Sequence, residues 1–219
     1  MNEVDGWTAK WTADKVNNHE DVQSITIVSS NLLSITTKQS RKPLLIATLS
    51  VDPVERQDLV RVHSRNDIEF MMNAPKGAVY KCEALSYAEE NSFGLGGLGD
   101  LYSAIGRNLF RGYLPKEMSF ILRGLRQHTK VQSVLRITDR LYKVNRHILG
   151  PVIVLALNEY DLTAEAVRTG IERHGQCDII LASNPNCRPS TESIDAARSA
   201  GCRVLKWGEL LGALNYANR

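Results

Sequence analysis

Three carboxylates stand where a buried strand gives way to a loop. Asp52 follows residues 43–49 (PLLIATL), and Glu159 and Asp161 follow residues 151–157 (PVIVLAL). In a parallel sheet the carboxyl ends of the strands form the edge at which ligands bind. Carboxylates converging there could hold a hard divalent cation, Mg2+ or Mn2+, that activates water and neutralises charge developing on a phosphodiester. In this reading Glu159 and Asp161 are the metal ligands, and Asp52 joins them as the third catalytic candidate. Polar residues reach the same edge: Asn73 and Lys76 after IEFMM, Asn158 after PVIVLAL, Asn184 and Asn186 after DIILAS, and Glu209 after VLKW. A plainer use exists for several of them. Asp161 and Thr163 can open a helix, and Asn184-Pro185-Asn186 can make a turn.

A second constellation is basic. Residues 103–148 hold ten Lys or Arg against two acids, a balance of +8 inside a chain whose total is only +3, so the remainder carries −5. Arg outnumbers Lys seven to three there, which suits bidentate contact with phosphate. Arg136, Arg140, Lys143 and His147 fall at i, i+4, i+7 and i+11, the spacing of one helix face, and Arg123, Arg126 and Lys130 form a similar stripe. Phe110, Tyr113, Phe120 and Tyr142 are interleaved and could stack on bases. DNA or RNA is the partner this pattern points to, bound with a strong dependence on salt. The bland counterpart is a solvated face, or a surface docking an acidic protein partner or a second copy.

A third motif spells GxGxxG: Gly94, Gly96 and Gly99, leading into a helix from Asp100. Such glycines can bring backbone amides to a phosphate at a helix N-terminus. Residues 88–93 (AEENSF) do not read as the buried strand a dinucleotide fold requires, and Asp100 would repel an anion. A turning loop suits the context better, with a nucleotide or small ligand as a third functional class.

The elements that must position these residues follow from periodicity. The first twenty residues read as a short helix or arm; residues 24–28, 33–37, 43–49 and 68–72 read as strands, and residues 52–65 as a helix. The segment 100–148 reads as two or three basic helices, with Met118, Ile121, Leu122 and Leu125, then Ile137, Leu141 and Val144, at helical spacing. Residues 149–219 read as a β-α-β-α-β unit: strands at 151–157, 178–182 and 202–207, helices at 163–174 and 191–200, with Gly175 and Gly201 as stops. No internal repeat is visible. The expected fold is a single α/β domain over residues 1–219, strand-rich at 20–80, with a central mixed or parallel sheet flanked by helices.

Composition limits the class. With 219 residues, 43% hydrophobic and 23% charged, the chain can bury a sizeable core and is neither fibrous nor wholly disordered. The longest apolar run is far too short to span a bilayer, and the acidic, polar start is not a secretory signal. Four cysteines without a CxxC pair read as reduced thiols of a cytoplasmic protein.

The tail 178–211 adds a resemblance. DIILASNPN, then SIDAARSAG from Ser193, then RVLKWGELL from Arg203, resembles the tail of Mrr-type restriction-endonuclease-like domains over about forty residues. The resemblance implies a nucleic-acid partner and metal-dependent phosphodiester hydrolysis. The family's signature is a carboxylate followed two residues later by lysine, and none of the 24 acids here has Lys at that spacing. No active-site residue is carried over. The expectation is a nucleic-acid-binding protein in which hydrolysis by Glu159, Asp161 and Asp52, or binding without cutting, are the competing forms.

Overall fold

The computed structural model describes residues 7–40 and 42–217. The chain divides into two compact units, Met1–Pro115 and Lys116–Arg219, where the sequence suggests one body.

The first unit begins with α1 (Thr8–Val16) and a meander of β1 (Val22–Ser29), β2 (Leu32–Thr37) and β3 (Leu44–Leu49). Then α2 (Arg56–His63), β4 (Phe70–Asn73), α3 (Cys82–Glu90), β5 (Gly94–Gly96) and α4 (Leu98–Arg107) alternate. The sheet order is β1-β2-β3-β4-β5: antiparallel through β3, parallel from β3 onward. Both faces are covered, which is why all four residues of β4 are buried. Leu59, Val62, Ala84 and Leu85 pack on one side; Ala9, Val16, Leu101 and Ile105 pack on the other.

The second unit runs α5 (Lys116–Gln127), β6 (Val131–Arg136), β7 (Leu141–Arg146), β8 (Val152–Leu157), β9 (Asp161–Leu162), α6 (Ala164–His174), β10 (Ile179–Ala182), β11 (Arg188–Pro189), α7 (Thr191–Ser199), β12 (Arg203–Leu205) and α8 (Trp207–Ala213). Its main sheet has the order β12-β10-β8-β7-β6, again antiparallel through the meander and parallel beyond it. The terminal β-α-β-α-β unit is present as expected. The Thr163 hydroxyl accepts the Ala166 N–H at 3.1 Å, and Gly175 ends α6.

The two units have one topology. The match includes a small detail: the parallel pair β9–β11 has its counterpart in an isolated parallel bridge between Val54 and Tyr80. From β4 onward the spacing is constant, for β4, α3, β5 and α4 start at 70, 82, 94 and 98 while β10, α7, β12 and α8 start at 179, 191, 203 and 207. In this register Glu83 matches Glu192, Ala88 matches Ala197, Gly99 matches Gly208 and Leu101 matches Leu210. The repeat invisible in the sequence is therefore structural. Most shared positions keep their burial, and the strand anchors and helix caps keep their hydrogen bonds, but most residue types differ.

The basic helical segment is the principal correction. Within the described residues 100–148 the helices are α4 and α5; Arg136, Arg140, Lys143 and His147 lie on or beside the β6–β7 hairpin. Ile137, Leu141 and Val144 satisfy a helical period. Yet Tyr142, Val144 and Arg146 are buried while Lys143 and Asn145 between them are half-buried, which is the period of a strand. The Thr138 hydroxyl accepts the N–H groups of Arg140 and Leu141 at 3.2 and 3.0 Å and so fixes a turn where a helix would have had to continue. Two further differences lie in the first unit. Residues 82–90, for which the sequence suggests no element, form α3, and Gly94–Gly96, expected as part of a turning loop, is a strand.

Candidate functional site

The carboxyl edge of the second sheet gathers a compact polar cluster. Glu117, in the first turn of α5, accepts from Arg140 Nη1 at 3.2 and 3.3 Å through its two oxygens. The same carboxylate accepts Asn158 Nδ2 at 2.8 Å and the Ser183 hydroxyl. Arg140 precedes β7, Asn158 follows β8 and Ser183 follows β10, so three strands and one helix meet at a single carboxylate. Three donor groups, from Arg140, Asn158 and Ser183, thus converge on the Glu117 carboxylate. Tyr142 is close by, its hydroxyl donating to the Asp139 carbonyl at 3.1 Å. Burial, with the nearby Glu117 charge, pushes this phenol well above the ordinary tyrosine range.

Of the strand-end residues expected from sequence, Asn158 belongs to this cluster. Asn184 and Asn186 instead form a turn, the Asn184 side chain accepting the Asn186 N–H at 2.9 Å. Glu159 and Asp161 are exposed, and Asp161 opens β9. Asp52 belongs to the first unit, where its carboxylate accepts the Val79 N–H at 3.1 Å. Asn73 is fully buried and ties both backbone groups of Val51 at 2.9 and 3.1 Å. Glu209 accepts the Lys206 N–H at the start of its own helix, at 2.7 Å. Among the described residues no three His, Cys, Asp or Glu are gathered so as to hold a metal ion.

The Gly94 to Gly99 segment is shaped by packing. A Cβ on Gly94 would lie 2.4 Å from the Phe110 carbonyl oxygen and 2.5 Å from the Phe70 ring. One on Gly96 would meet Asp100 at 2.6 Å, whereas Gly99 has open space. The Asp100 carboxylate takes the Gly97 N–H and the Tyr113 hydroxyl, both at 3.0 Å. The N-terminus of α4 is thus capped from within.

The basic residues separate into classes that the sequence could not distinguish. Arg146 is buried and structural, donating to the carbonyls of Gly150, Leu214 and Tyr216 at 2.8, 3.3 and 2.6 Å. Arg111, in the first unit, pairs with Asp67 at 2.8 Å and Glu69 at 3.4 Å. Arg140 is tied to Glu117, and Arg136 lies 3.4 Å from the Met118 sulfur. Lys143 is half-buried on β7. Arg123 and Arg126 on α5 and Lys130 just beyond it are exposed, at i, i+3 and i+7, and form no ion pair among the described residues. By unit, the second carries fifteen Lys or Arg against ten acids and the first twelve against fourteen.

Of the four interleaved aromatics, Phe110, Tyr113 and Tyr142 are core residues. Phe120 is 47% exposed and packs against Trp207 with ring centroids 4.9 Å apart and the planes tilted by 50°. Trp207 lies over Gly124, where a Cβ would come within 2.3 Å of the indole. The exposed Phe120 of α5, backed by the half-buried Trp207 of α8, therefore sits one turn from Arg123. Trp207 is not among the sequence candidates. It opens α8, far along the chain from α5, and tertiary packing alone brings it to Phe120.

No helix among the described residues is long and apolar enough to cross a membrane. Comparison with family models, with curated proteins and with solved structures found no match.

Proposed function

We propose that the second unit binds single-stranded nucleic acid along α5 without cutting it. The supporting observation is the union of the exposed Phe120, stacked against the half-buried Trp207, with the exposed cations Arg123 and Arg126 on α5 and Lys130 just beyond it. Bases stack on exposed aromatics irrespective of sequence, and a row of cations follows the phosphates. The resemblance of residues 178–211 to Mrr-type tails agrees in partner class. A non-catalytic role is favoured because Glu117, the carboxylate set among the strand ends, is already engaged by Arg140, Asn158 and Ser183. A reducing cytoplasmic setting suits this reading and the four free cysteines.

The test is a binding and cleavage panel on single- and double-stranded DNA and RNA, with and without Mg2+ or Mn2+. Single strands are expected to quench Trp207 fluorescence in a Trp7→Phe, Trp11→Phe background. Charge reversal at Arg123, Arg126 and Lys130 is expected to weaken binding and to lower the salt slope by about one for each phosphate no longer neutralised. Binding indifferent to those reversals would reject the interface. Metal-dependent cleavage abolished in Glu159→Ala and Asp161→Ala would replace this reading with the hydrolytic one.

A further inference from the structure

Cys177 and Cys202 stand just ahead of the paired parallel strands β10 and β12. Their sulfurs lie 3.4 Å apart, the Cys177 thiol donating to the Cys202 sulfur, and the Cys202 thiol is 2.9 Å from the Cys177 carbonyl oxygen. Both are buried, at 8% and 3% exposure. The matching positions of the first unit hold Ile68 and Phe93, also buried. The fold therefore asks only for an apolar side chain at each place, and the second unit has put two facing thiols there. Cys82 is exposed, and Cys187 is buried.

We propose that Cys177 and Cys202 are a modification site, forming a reversible disulfide across β10 and β12 with hydrogen peroxide as oxidant. One sulfur, as thiolate, attacks the peroxide O–O bond, giving a sulfenic acid and, after protonation of the departing hydroxide, water. The second sulfur then attacks the sulfenic sulfur; the S–S bond forms, the S–O bond breaks, and the hydroxide leaves as water with the second thiol's proton. Two thiols lose two protons and two electrons, and one peroxide becomes two waters. The sulfurs must close from 3.4 Å to about 2.05 Å. The bond spans 25 positions and encloses β10, β11 and α7, so it locks one crossover of the sheet. Burial raises the Cys177 thiol above its ordinary range, which makes the reaction slow at neutral pH and faster as pH rises.

The full chain, with Cys82→Ser to remove the exposed thiol, is treated with hydrogen peroxide, then unfolded in alkylating agent and mapped by mass spectrometry. The expected product is a peptide pair linked through Cys177 and Cys202, lighter by two hydrogens and restored by dithiothreitol. Thermal unfolding followed by Trp207 fluorescence should move up by roughly 5–10 °C on oxidation. The shift should be absent in Cys177→Ala and in Cys202→Ala, and the mapping of the otherwise native chain does not depend on whether those variants fold. Recovery of both cysteines as alkylated thiols, as sulfinic acids, or linked to other partners would overturn the proposal.

Discussion

The two units share one topology and differ at the carboxyl edge of their sheets. In the first, the Thr8 and Thr48 hydroxyls meet at 2.8 Å and are buried, and the positions matching Glu117, Asn158 and Ser183 are Ala9, Ser50 and Ala74. In the second, the same edge carries a carboxylate, a guanidinium, an amide and a hydroxyl in one network. What the units hold in common is structural. Glu69 accepts the Leu45 N–H at 2.6 Å, and Asp178 accepts the Ile153 N–H at 2.7 Å, so one acid ahead of β4 or β10 anchors the neighbouring strand in both. Asp100 and Glu209 likewise cap the equivalent helices α4 and α8. The fold thus depends on the anchors and caps, while the polar edge is dispensable to it and free to acquire a separate role.

The largest contrast between the units is expected at Gly94, whose counterpart is the exposed Arg203. Gly94→Ala should destabilise the first unit by about 2–3 kcal/mol, because a carbonyl oxygen and a ring must move, while Arg203→Ala should stay within about 0.5 kcal/mol. Urea unfolding followed by the fluorescence of Trp7 and Trp11 against that of Trp207 would separate the units. Equal losses would deny the difference between the two edge strands.

Next come the anchors. Glu69→Ala and Asp178→Ala each leave a strand N–H without its acceptor and should each cost about 1–2 kcal/mol, in their own unit. A loss in one variant only would mean that the shared hydrogen bond is not a shared device. Glu117→Ala should cost less, about 1 kcal/mol, since its partly exposed donors regain water. A loss as large as that of Asp178→Ala would make the cluster part of the framework.

A smaller effect is expected after α3 and α7, where Ser92 holds φ +58° and Gly201 holds +77°. Ser92→Gly should stabilise the first unit by about 0.5 kcal/mol, relief of the left-handed strain exceeding the added freedom of the unfolded chain. Destabilisation would show that the serine side chain has a use there.

The remaining effects concern pH. Burial, aided by the Asp100 charge, pushes the Tyr113 phenol up to about 12. Its contribution is complete below the ordinary phenol range near 10 and is lost as pH rises through the folded value. Arg111, through a hydrogen bond and its charge, holds the Asp67 carboxyl below its usual value. That contribution is present above the ordinary carboxylate range and disappears as pH falls through the lowered value. Ultraviolet titration of Tyr113→Phe against the native chain, and carboxyl-carbon NMR of Asp67, would read the two; ordinary values for either group would contradict the contacts.

Much of the C-terminal unit is legible in the sequence because its signals are local: a threonine cap, glycine stops and short runs of Val, Ile and Leu depend on neighbours along the chain. The hairpin is not. Ile137, Leu141 and Val144 fit two periods at once, and the Thr138 turn that decides between them is a side-chain contact. The first unit hides its second half because Gly94–Gly96 offers no side-chain pattern, and its strand character comes from pairing with β4. For Trp207 the sole sequence signal is an aromatic among the polar residues opening α8.

An α/β fold, the strands β1 to β4, β8, β10 and β12, and a positive excess in the middle of the chain follow from the sequence alone, since composition and periodicity are properties of neighbouring residues. Packing in three dimensions is what makes two units of one topology. It also sets Arg146 to support backbone carbonyls while Arg123 faces water, and it brings Glu117 rather than Glu159 to the strand ends. Those are contacts between residues far apart in the chain. Their partners are chosen when strands pair and helices pack, and no local pattern records that choice.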